Sequence, residues 1–366
     1  YAELFEVSES LGGGGTLDVT VTDGNGGARP AKITIYCAKE CPKIPATVRD
    51  ASKDNPGGGA WVAKYVGVSG KLTIPLPAGN YRVIATNGPT ASIWPEDFAA
   101  TKGVDVVVGA GKTVKIAPVI RTAVDTSGWL SGDFHVHSVN SPDAPVENLL
   151  RVLSFLAEGV DVLVPTDHDY ITDMQPIIDA QKANARLAAI AGVESTAFDY
   201  GHFNAFPLKI KAGDLNGGAL DWAGGEGPGL DPPTMRAALA KLGKHGDAFV
   251  QINHPQSYLN SVKADLLGGI SLAPRTPFRV SKKTTDPKTG DTGMFTDAFS
   301  GMEVLTGHRG GGFGGGDGFA QNIGWWFTML GRGVKWTGTA TSDTHRSYSS
   351  QAGGARTYVY VGAGND

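Results

Sequence analysis

Residues 1 to about 125 alternate short runs of hydrophobic and polar positions, a period of two that predicts β-strands. Gly, Asn, Asp and Pro separate the runs, and no long segment has the period of a helix. The runs are TLDVTVTDGNGG, AKITIYC, AWVAKYVG, KLTIPLPAGNYRVIATNG and VDVVVGAGKTVKIAPVI. We therefore predict an all-β sandwich domain over residues 1–125. It holds no cluster of ionisable side chains, so we expect an accessory role, such as docking.

From residue 126 to residue 366, apolar strands alternate with helical stretches, which predicts an α/β fold. The strand candidates are DFHVHS, VDVLVPTD, LAAIAGVE, GHFNAFPL, DAFVQINHP, FSGMEVL and VKWTGTATSD. The helix candidates are PVENLLRVLSFLAEG, ITDMQPIIDAQKANARLA, PPTMRAALAKLGKHG and FAQNIGWWFTMLGRG. Seven strands fit a parallel α/β barrel or an open doubly wound sheet, and a length of about 240 residues suits a barrel.

Composition narrows the classes of partner. The net charge is −4, from 32 basic and 36 acidic residues without a basic block, which argues against nucleic acid. No apolar run approaches the roughly 20 residues of a membrane-spanning helix. Cys37 and Cys41 are the two cysteines, and a disulfide and two unpaired thiols both remain open. The chain begins at Tyr1 rather than Met, so we expect a processed protein, secreted or periplasmic, of unknown oligomeric state.

Six of the eight histidines fall at the ends of predicted strands. His135 and His137 are two residues apart on one strand, so both imidazoles point to the same side. The strand order places the carboxyl ends of the other strands at the same rim, where active sites of α/β barrels lie. The ligand-type residues at these ends are His168, Glu194, His254, Asp343 and His345.

His202 starts its strand, but only seven residues separate it from Glu194, too few for a crossover helix. An antiparallel hairpin is therefore predicted, and it returns His202 to the same rim. So many half-buried polar groups are costly without a metal. Imidazole and carboxylate without thiolate suit Zn, Mn or Fe, and the number of ligands predicts two or three ions.

The motifs DFHVHS, TDHD, GVE, GHFNAF, NHP and SDTH, in this order over residues 130 to 350, resemble the PHP (polymerase and histidinol phosphatase) family. The flanking GWLSGDFHVHS and the closing SDTH segment are more similar to its carbaryl-hydrolase-like branch. This resemblance implies a distorted seven-stranded barrel with three metal ions. The segment GKLTIPLPAGNYRVIATNG resembles carboxypeptidase-regulatory-like or transthyretin-like sandwiches.

Carried over by position, the resemblance implies three metal sites. The first would use His135, His137, Glu194 and Asp343; the second Glu194, His202 and His254; the third Asp143, His168 and His345. Asp143 departs from family members that have a histidine there. Its alternative role is the N-cap of the helix that starts near Pro145.

Five further residues are weaker candidates. Asp167 could orient a ligand histidine during catalysis or cap a loop. Glu303 could contact metal or substrate, or be a buried structural acid. Three loop residues are catalytic or substrate-binding candidates, against the alternative of solvated loop positions: His308 as a general acid, and Arg309 and Arg346 as phosphate ligands. His245, at a helix C-terminus, is interpreted as structural.

The predicted reaction is hydrolysis by a metal-bound hydroxide. Most PHP proteins act on phosphate esters, so the resemblance implies a phosphoesterase first. A carboxyl-ester or aryl-carbamate hydrolase is the alternative that the closer branch implies. Lys282 and Lys283 would add cations for a phosphatase, whereas Phe313, Phe319, Trp325 and Trp326 could line an aryl pocket or be helix core. A metal-containing binding module without catalysis is the third alternative.

Overall fold

The computed structural model describes residues 14–39, 60–197, 200–223, 229–261, 294–307, 317–347 and 352–364. Seven strands precede residue 126 within these described ranges. They are β1 (Gly14–Thr20), β2 (Ala31–Lys39), β3 (Ala60–Val66), β4 (Lys71–Pro77), β5 (Gly79–Thr86), β6 (Val104–Val108) and β7 (Thr113–Ile116). Helix α1 (Phe98–Thr101) has only four residues, so this region is β-rich as predicted.

These strands form two sheets, in the orders β4-β1-β7 and β3-β2-β5-β6. Strand β1 buries every second residue, as its alternating sequence predicts. Its buried Leu17 and Val19 share one apolar cluster with Ile33, Ile35 and Val83 from the second sheet. Cys37 is disulfide-bonded, which agrees with the first of the two alternatives left open, and Cys41 lies outside the described residues.

The later region contains nine strands and five α-helices among the residues that the structure describes. The strands are β8 (Trp129–Val136), β9 (Val162–Pro165), β10 (Ala188–Ala189), β11 (Val193–Ala197), β12 (Gly201–Phe206), β13 (Phe249–Ile252), β14 (Gly301–Thr306), β15 (Thr337–Thr341) and β16 (Thr357–Tyr360). The helices are α2 (Asn148–Ala157), α3 (Gln175–Ala180), α4 (Pro232–Lys241), α5 (Gln256–Ser261) and α6 (Asp317–Gly331), with a short 3₁₀-helix at Leu215–Gly218.

Two sheets hold these nine strands, in the orders β10-β9-β8-β16 and β11-β12-β13-β14-β15. Pairing is parallel from β13 to β15 and between β8 and β9. The predicted hairpin is present, because β11 and β12 are antiparallel. Two isolated bridges link the sheets, His168 with Glu194 and Val136 with Thr344. The α/β class agrees with the prediction, while the structure divides the strands between two sheets.

The third predicted strand, LAAIAGVE, is split into β10 and β11. Strand β10 pairs with β9 and β11 pairs with β12, so the chain changes sheets at this point. Gly192 lies at the change, where a Cβ atom would come within 2.9 Å of the Pro165 carbonyl oxygen and 3.2 Å of that of Ala205. Only glycine fits between two backbones that approach this closely.

Helix α2 connects the two regions. Its buried face contributes Val152, Phe155 and Leu156 to an apolar cluster with β8 and β9, and Gly159, with φ of 59°, ends it as predicted. Asn87, from the early region, donates to the carbonyl oxygens of Leu156 (3.1 Å) and Ala157 (3.0 Å). The last carbonyls of α2 are therefore bonded by a residue outside the helix.

Helices α4 and α6 pack on the other sheet, where Leu239 and Met329 join the buried residues of β11–β14. Trp326 donates to the Trp336 carbonyl oxygen at 2.8 Å, and Trp325 packs against the same cluster. Both tryptophans therefore serve the core rather than a binding pocket. Among the residues described, no helix is both long and apolar enough to cross a membrane.

Candidate metal centre

Strand β8 and the residue that follows it carry two imidazoles that face each other. His135 and His137 are both fully buried, and their Nε2 atoms are 3.0 Å apart. Each Nδ1 atom points the other way, to Glu303 Oε1 at 2.6 Å and to Ser141 Oγ at 2.9 Å. Alternation along the strand therefore brings both Nε2 atoms to one point, as the sequence predicts.

Two carboxylates meet the same point. Asp343 Oδ1 is 3.2 Å from His135 Nε2 and 3.1 Å from His137 Nε2. Glu194, on β11, places Oε1 3.2 Å from His135 Nε2 and Oε2 3.6 Å from His137 Nε2. Asp343 has a left-handed backbone, with φ of 50°, and His254 has φ of 24°. Such strained conformations in residues other than glycine concentrate at functional sites.

The buried carboxylates around His135 and His137 favour a positive charge among them. Burial opposes protonation of His135, but the three carboxylates around it outweigh burial and hold its pKa well above the usual value. Burial lowers the pKa of His137 to about 4, so this ring is neutral at pH 7. Burial alone would raise the pKa of Glu194, yet His135 and His202 bring it well below the usual range.

A divalent ion fits this set of donors. Glu194 Oε2 is buried and lies 2.7 Å from His168 Nδ1, which is also 2.7 Å from Thr196 Oγ1. Neutral imidazole nitrogens and carboxylate oxygens are ligands of Zn, Mn and Fe. A cation between these atoms would compensate buried negative charge that is otherwise costly.

A second group lies around the other oxygen of Glu194. His202 Nδ1 is 3.2 Å and His254 Nε2 is 3.4 Å from Glu194 Oε1. The β11–β12 hairpin pairs His202 with Thr196, which returns this histidine to the rim as predicted. Asn253 Nδ2 donates to the same carboxylate oxygen at 2.7 Å and fixes its orientation.

A third group contains Asp143, the most exposed of the nine candidate ligands. Asp143 Oδ2 is 3.4 Å from His168 Nε2 and 3.3 Å from His345 Nε2. The Asp143 side chain is 55% exposed, against 16% for each histidine. The alternative that Asp143 caps a helix is wrong, because α2 begins later and its N-cap is Glu147. Asp143 therefore lies beside the two histidines with which it was predicted to form a site.

Four triads of the described residues bring possible ligand atoms within 4.8 Å of one another. They are His135–His137–Asp343, His135–Glu194–His254, His168–Glu194–His202 and His137–His168–His345. The eight residues involved were all predicted ligands, and Asp143 contacts two of them. The grouping differs from the predicted one in three places. His137 completes the triad of His168 and His345, His168 that of Glu194 and His202, and His135 that of Glu194 and His254.

Glu303 lies behind the centre rather than at its rim. It is fully buried, and beyond His135 it accepts from the backbone of His254 at 2.5 Å and from Thr341 at 2.7 Å. These bonds hold two predicted ligands in place. The geometry thus favours the structural alternative for Glu303 over contact with substrate.

Asp167 is also fully buried. Its carboxylate accepts from the backbone N–H of Ser138 and from the hydroxyls of Ser138, Ser141 and Thr172. It reaches the ligand His137 only through Ser141. Of its two predicted roles, orienting a ligand histidine agrees with the contact through Ser141, and capping a loop agrees with the bond from the Ser138 backbone.

Two supporting residues escaped the sequence reasoning. Arg151, in the buried face of α2, donates to the carbonyl oxygens of His137 (2.9 Å) and Arg346 (3.1 Å), and burial lowers its pKa to about 10. Asp133, on β8, accepts from the backbone of Ser342 at 2.9 Å, and burial raises its pKa to about 6. Each joins the β8 ligands to the segment of Asp343 and His345. In the sequence, the only indication of such a role was a charged residue among apolar neighbours.

The remaining candidates lie elsewhere. Arg346 is exposed and follows His345 directly. His308 and Arg309 lie outside the described residues, as do Phe313, Lys282 and Lys283. His245 is exposed beyond the end of α4 and belongs to none of the four triads, consistent with a structural role.

Comparison with known proteins gives limited similarity. No family model and no curated protein matches the chain. A two-domain Bacteroides vulgatus protein, containing a predicted PHP-like metal-dependent phosphoesterase, is 24% identical over 61% of this chain and 54% of its own, with a TM-score of 0.35. The TIE protein of Bacillus anthracis is 21% identical over 35% of this chain and 20% of its own, with a TM-score of 0.21.

A minor pilin of Streptococcus agalactiae is 15% identical over 31% of this chain and 46% of its own, with a TM-score of 0.21. The chain thus spans about half the length of the first of these structures and less of the other two. These TM-scores are too low to establish a shared fold. The functional interpretation therefore rests on the geometry of the site and on the motifs.

Proposed function

We propose that this chain is a multinuclear metal-dependent hydrolase of ester bonds, and a phosphoesterase in the first place. One observation carries the proposal. The Nε2 atoms of two buried imidazoles lie 3.0 Å apart, and each lies 3.1 to 3.6 Å from oxygen atoms of the same two buried carboxylates. Structural zinc sites are closed and four-coordinate. This centre has nine candidate ligands in adjoining groups and opens to solvent at Asp143, which favours catalysis over a purely structural or binding role.

Three ions would be held by the groups described above. The first ion would lie among His135, His137, Glu194 and Asp343, the second among Glu194, His202 and His254, and the third among Asp143, His168 and His345. When bound, divalent ions supply activation of water and polarisation of the ester. The protein itself supplies fixed ligand positions, because Glu303, Arg151 and Asp133 hold the ligand-bearing segments from behind.

The motifs, the strand pairing and the centre together support a PHP-type fold. The two sheets that carry the ligands are linked at both edges by isolated bridges. We infer that β8 to β15, with β10 and β11 counted as one interrupted strand, make up the distorted seven-stranded barrel of that family. The accessory β-sandwich would end near residue 125, where β-rich sequence gives way to ligand-bearing strands.

The choice between phosphate and carboxyl esters depends on cations at the entrance. A phosphatase needs positive charge besides the metals to bind phosphoryl oxygens. Arg346 is exposed beside His345 and can supply it. The candidates Arg309, Lys282 and Lys283 lie outside the described residues. Carboxyl-ester or aryl-carbamate hydrolysis remains the second candidate, since Phe319, 41% exposed, offers apolar surface to an aryl group.

The test is turnover of matched aryl substrates by the protein before and after chelation. A phosphate monoester, a phosphodiester, a carboxyl ester and a carbamate would share one chromogenic leaving group, and metal content would be measured on the same samples. His137→Ala removes a central ligand. His245→Ala is the matched control, because it removes an exposed histidine that belongs to no triad.

We expect chelator-sensitive phosphate release that His137→Ala abolishes and His245→Ala retains. A preference for the carboxyl ester or the carbamate would instead favour the second candidate. Full metal occupancy without turnover of any substrate would favour a binding role. A wild-type protein without bound metal would refute the proposal.

A further inference from the structure

The hydroxyl of Ser141 contacts three polar groups behind the candidate metal centre. It is in the turn after β8, and its side chain is buried. Its Oγ atom lies 2.9 Å from Asp167 Oδ1, 2.9 Å from His137 Nδ1 and 3.1 Å from the backbone nitrogen of His168. Ser141 therefore contacts two predicted ligands without being a ligand itself.

Counting protons fixes the direction of each bond. A hydroxyl has a single hydrogen to donate and two lone pairs to accept with. The Asp167 carboxylate can only accept, so the hydroxyl hydrogen is directed to Asp167. The backbone N–H of His168 can only donate, so it occupies one lone pair of Ser141. His137 Nδ1 must therefore donate to the remaining lone pair.

The carboxylate cannot turn away from this arrangement. Both oxygens of Asp167 already accept from other donors, Oδ1 from the Ser138 backbone at 2.5 Å and Oδ2 from the Ser138 hydroxyl at 2.7 Å. Thr172 donates to Oδ2 as well. Asp167 is thus a fixed acceptor, and the Ser141 hydroxyl has one orientation that satisfies every partner.

We propose that Ser141, oriented by Asp167, is a positioning residue that keeps the proton of His137 on Nδ1 and leaves the Nε2 lone pair free for a metal ion. The His135 ring is held differently, by direct contact of its Nδ1 with the Glu303 carboxylate at 2.6 Å. The placement of the proton follows from the hydrogen bonds alone. Its use for metal binding rests on the proposed function.

The primary test is the tautomer of His137 in the metal-free protein, read from ¹⁵N NMR of histidine-labelled samples. His137→Gln assigns the resonance by its loss. Ser141→Ala removes the proposed acceptor. Ser138→Ala is the matched control, because it also deletes a buried hydroxyl that donates to Asp167, and among the described residues this hydroxyl forms no hydrogen bond to a histidine. Circular dichroism would show that each variant is folded.

We expect Nδ1–H in the wild type and in Ser138→Ala, and a shift toward Nε2–H in Ser141→Ala. Competition with a chelator should then show metal binding roughly 10- to 100-fold weaker in Ser141→Ala, the usual cost of losing a hydrogen-bond partner behind a ligand. Ser138→Ala should lose less. Ser141→Thr, which keeps the hydroxyl, should restore the tautomer wherever it folds.

Two results would overturn the inference: Nε2–H on His137 of the wild type, or equal tautomer shifts in the Ser141 and Ser138 variants. A wild-type protein with the expected tautomer that binds no metal would support the placement of the proton. In that case the proposed function would be what fails, so the two conclusions are tested separately.

Discussion

The inner and outer halves of the centre use the same kinds of ligand in different surroundings. The inner half, His135, His137, Glu194 and Asp343, is at most 6% exposed, and other buried polar groups hold it. The outer half, Asp143, His168 and His345, meets solvent. Buried ligands that are fixed before binding lose little freedom when an ion arrives. We therefore expect the inner ion to be held tightly and the outer ion to exchange readily.

The largest effect should come from Glu194→Gln. This change keeps the size of the side chain but removes the charge that faces both the first and the second group of ligands. We expect loss of metal from both and a decrease in kcat/KM of more than roughly 100-fold, the upper end of what losing an outer hydrogen-bond partner costs. Metal analysis and steady-state kinetics on one sample measure this. A variant that keeps its full metal content would show that Glu194 does not bridge the two groups.

Arg151→Met should lower the stability of the segments that carry ligands of both the inner and the outer half. The buried guanidinium bonds the carbonyl oxygens of His137 and Arg346, which the shorter apolar side chain leaves without this donor. We expect the free energy of unfolding to fall by about 3 kcal/mol, the upper end of the cost of a buried unsatisfied group. Urea unfolding measures it.

Arg82→Met is the control for this loss of an arginine. Arg82 forms an exposed ion pair with Asp105, and exposed pairs of this kind contribute little to stability because solvent screens them. Equal destabilisation by the two variants would contradict the role given to Arg151.

The pH dependence of the metal-free protein should reveal the charge that the centre requires. Burial opposes protonation of His168, but Glu194 outweighs burial and raises the His168 pKa to about 8, above the ordinary value of 6.5. A raised histidine pKa stabilises the fold below pH 6.5, and this stability is lost as the pH rises through 8. The chelated protein should therefore lose roughly 1 kcal/mol between pH 6.5 and pH 8 from His168 alone, part of about 2 kcal/mol over the whole titration.

With metal bound, the trend should reverse, because protons compete with the ions for the same nitrogens and affinity rises with pH. Thermal unfolding of chelated and metal-loaded protein at the two pH values compares these trends. Parallel curves for the two forms would mean that the ions do not replace protons at the histidines.

Asp143→Ala should have the smallest effect on stability. The side chain is half exposed and does not cap α2, so the free energy of unfolding should change by less than about 0.5 kcal/mol. We expect one ion fewer per chain after brief dialysis, with the inner ions retained. Loss of all ions would show that the halves bind as one unit and would remove the distinction between them.

The sequence predicted which candidate ligands come together better than it predicted the residues that hold them in place. Strand ends and one hairpin place Glu194 and His202 together, and both features follow from local pattern and loop length. The change of sheet at Gly192 was missed, because it depends on the backbones of Pro165 and Ala205 rather than on nearby residues. Arg151 and Asp133 were missed because their partners are 14 to 209 residues away in the chain. The residues outside the described ranges keep their predictions untested.

The contact between Asn87 and the end of α2 limits how this polypeptide could be shortened. A shortened protein that began near residue 126 would start where the sequence pattern changes from all-β to α/β. It would also delete the amide that bonds the carbonyls of Leu156 and Ala157. Helix α2 is the one that carries Arg151 to the ligand segments. In evolutionary terms the early strands are therefore tied to the centre, and exchanging them for another module would require a substitute for Asn87.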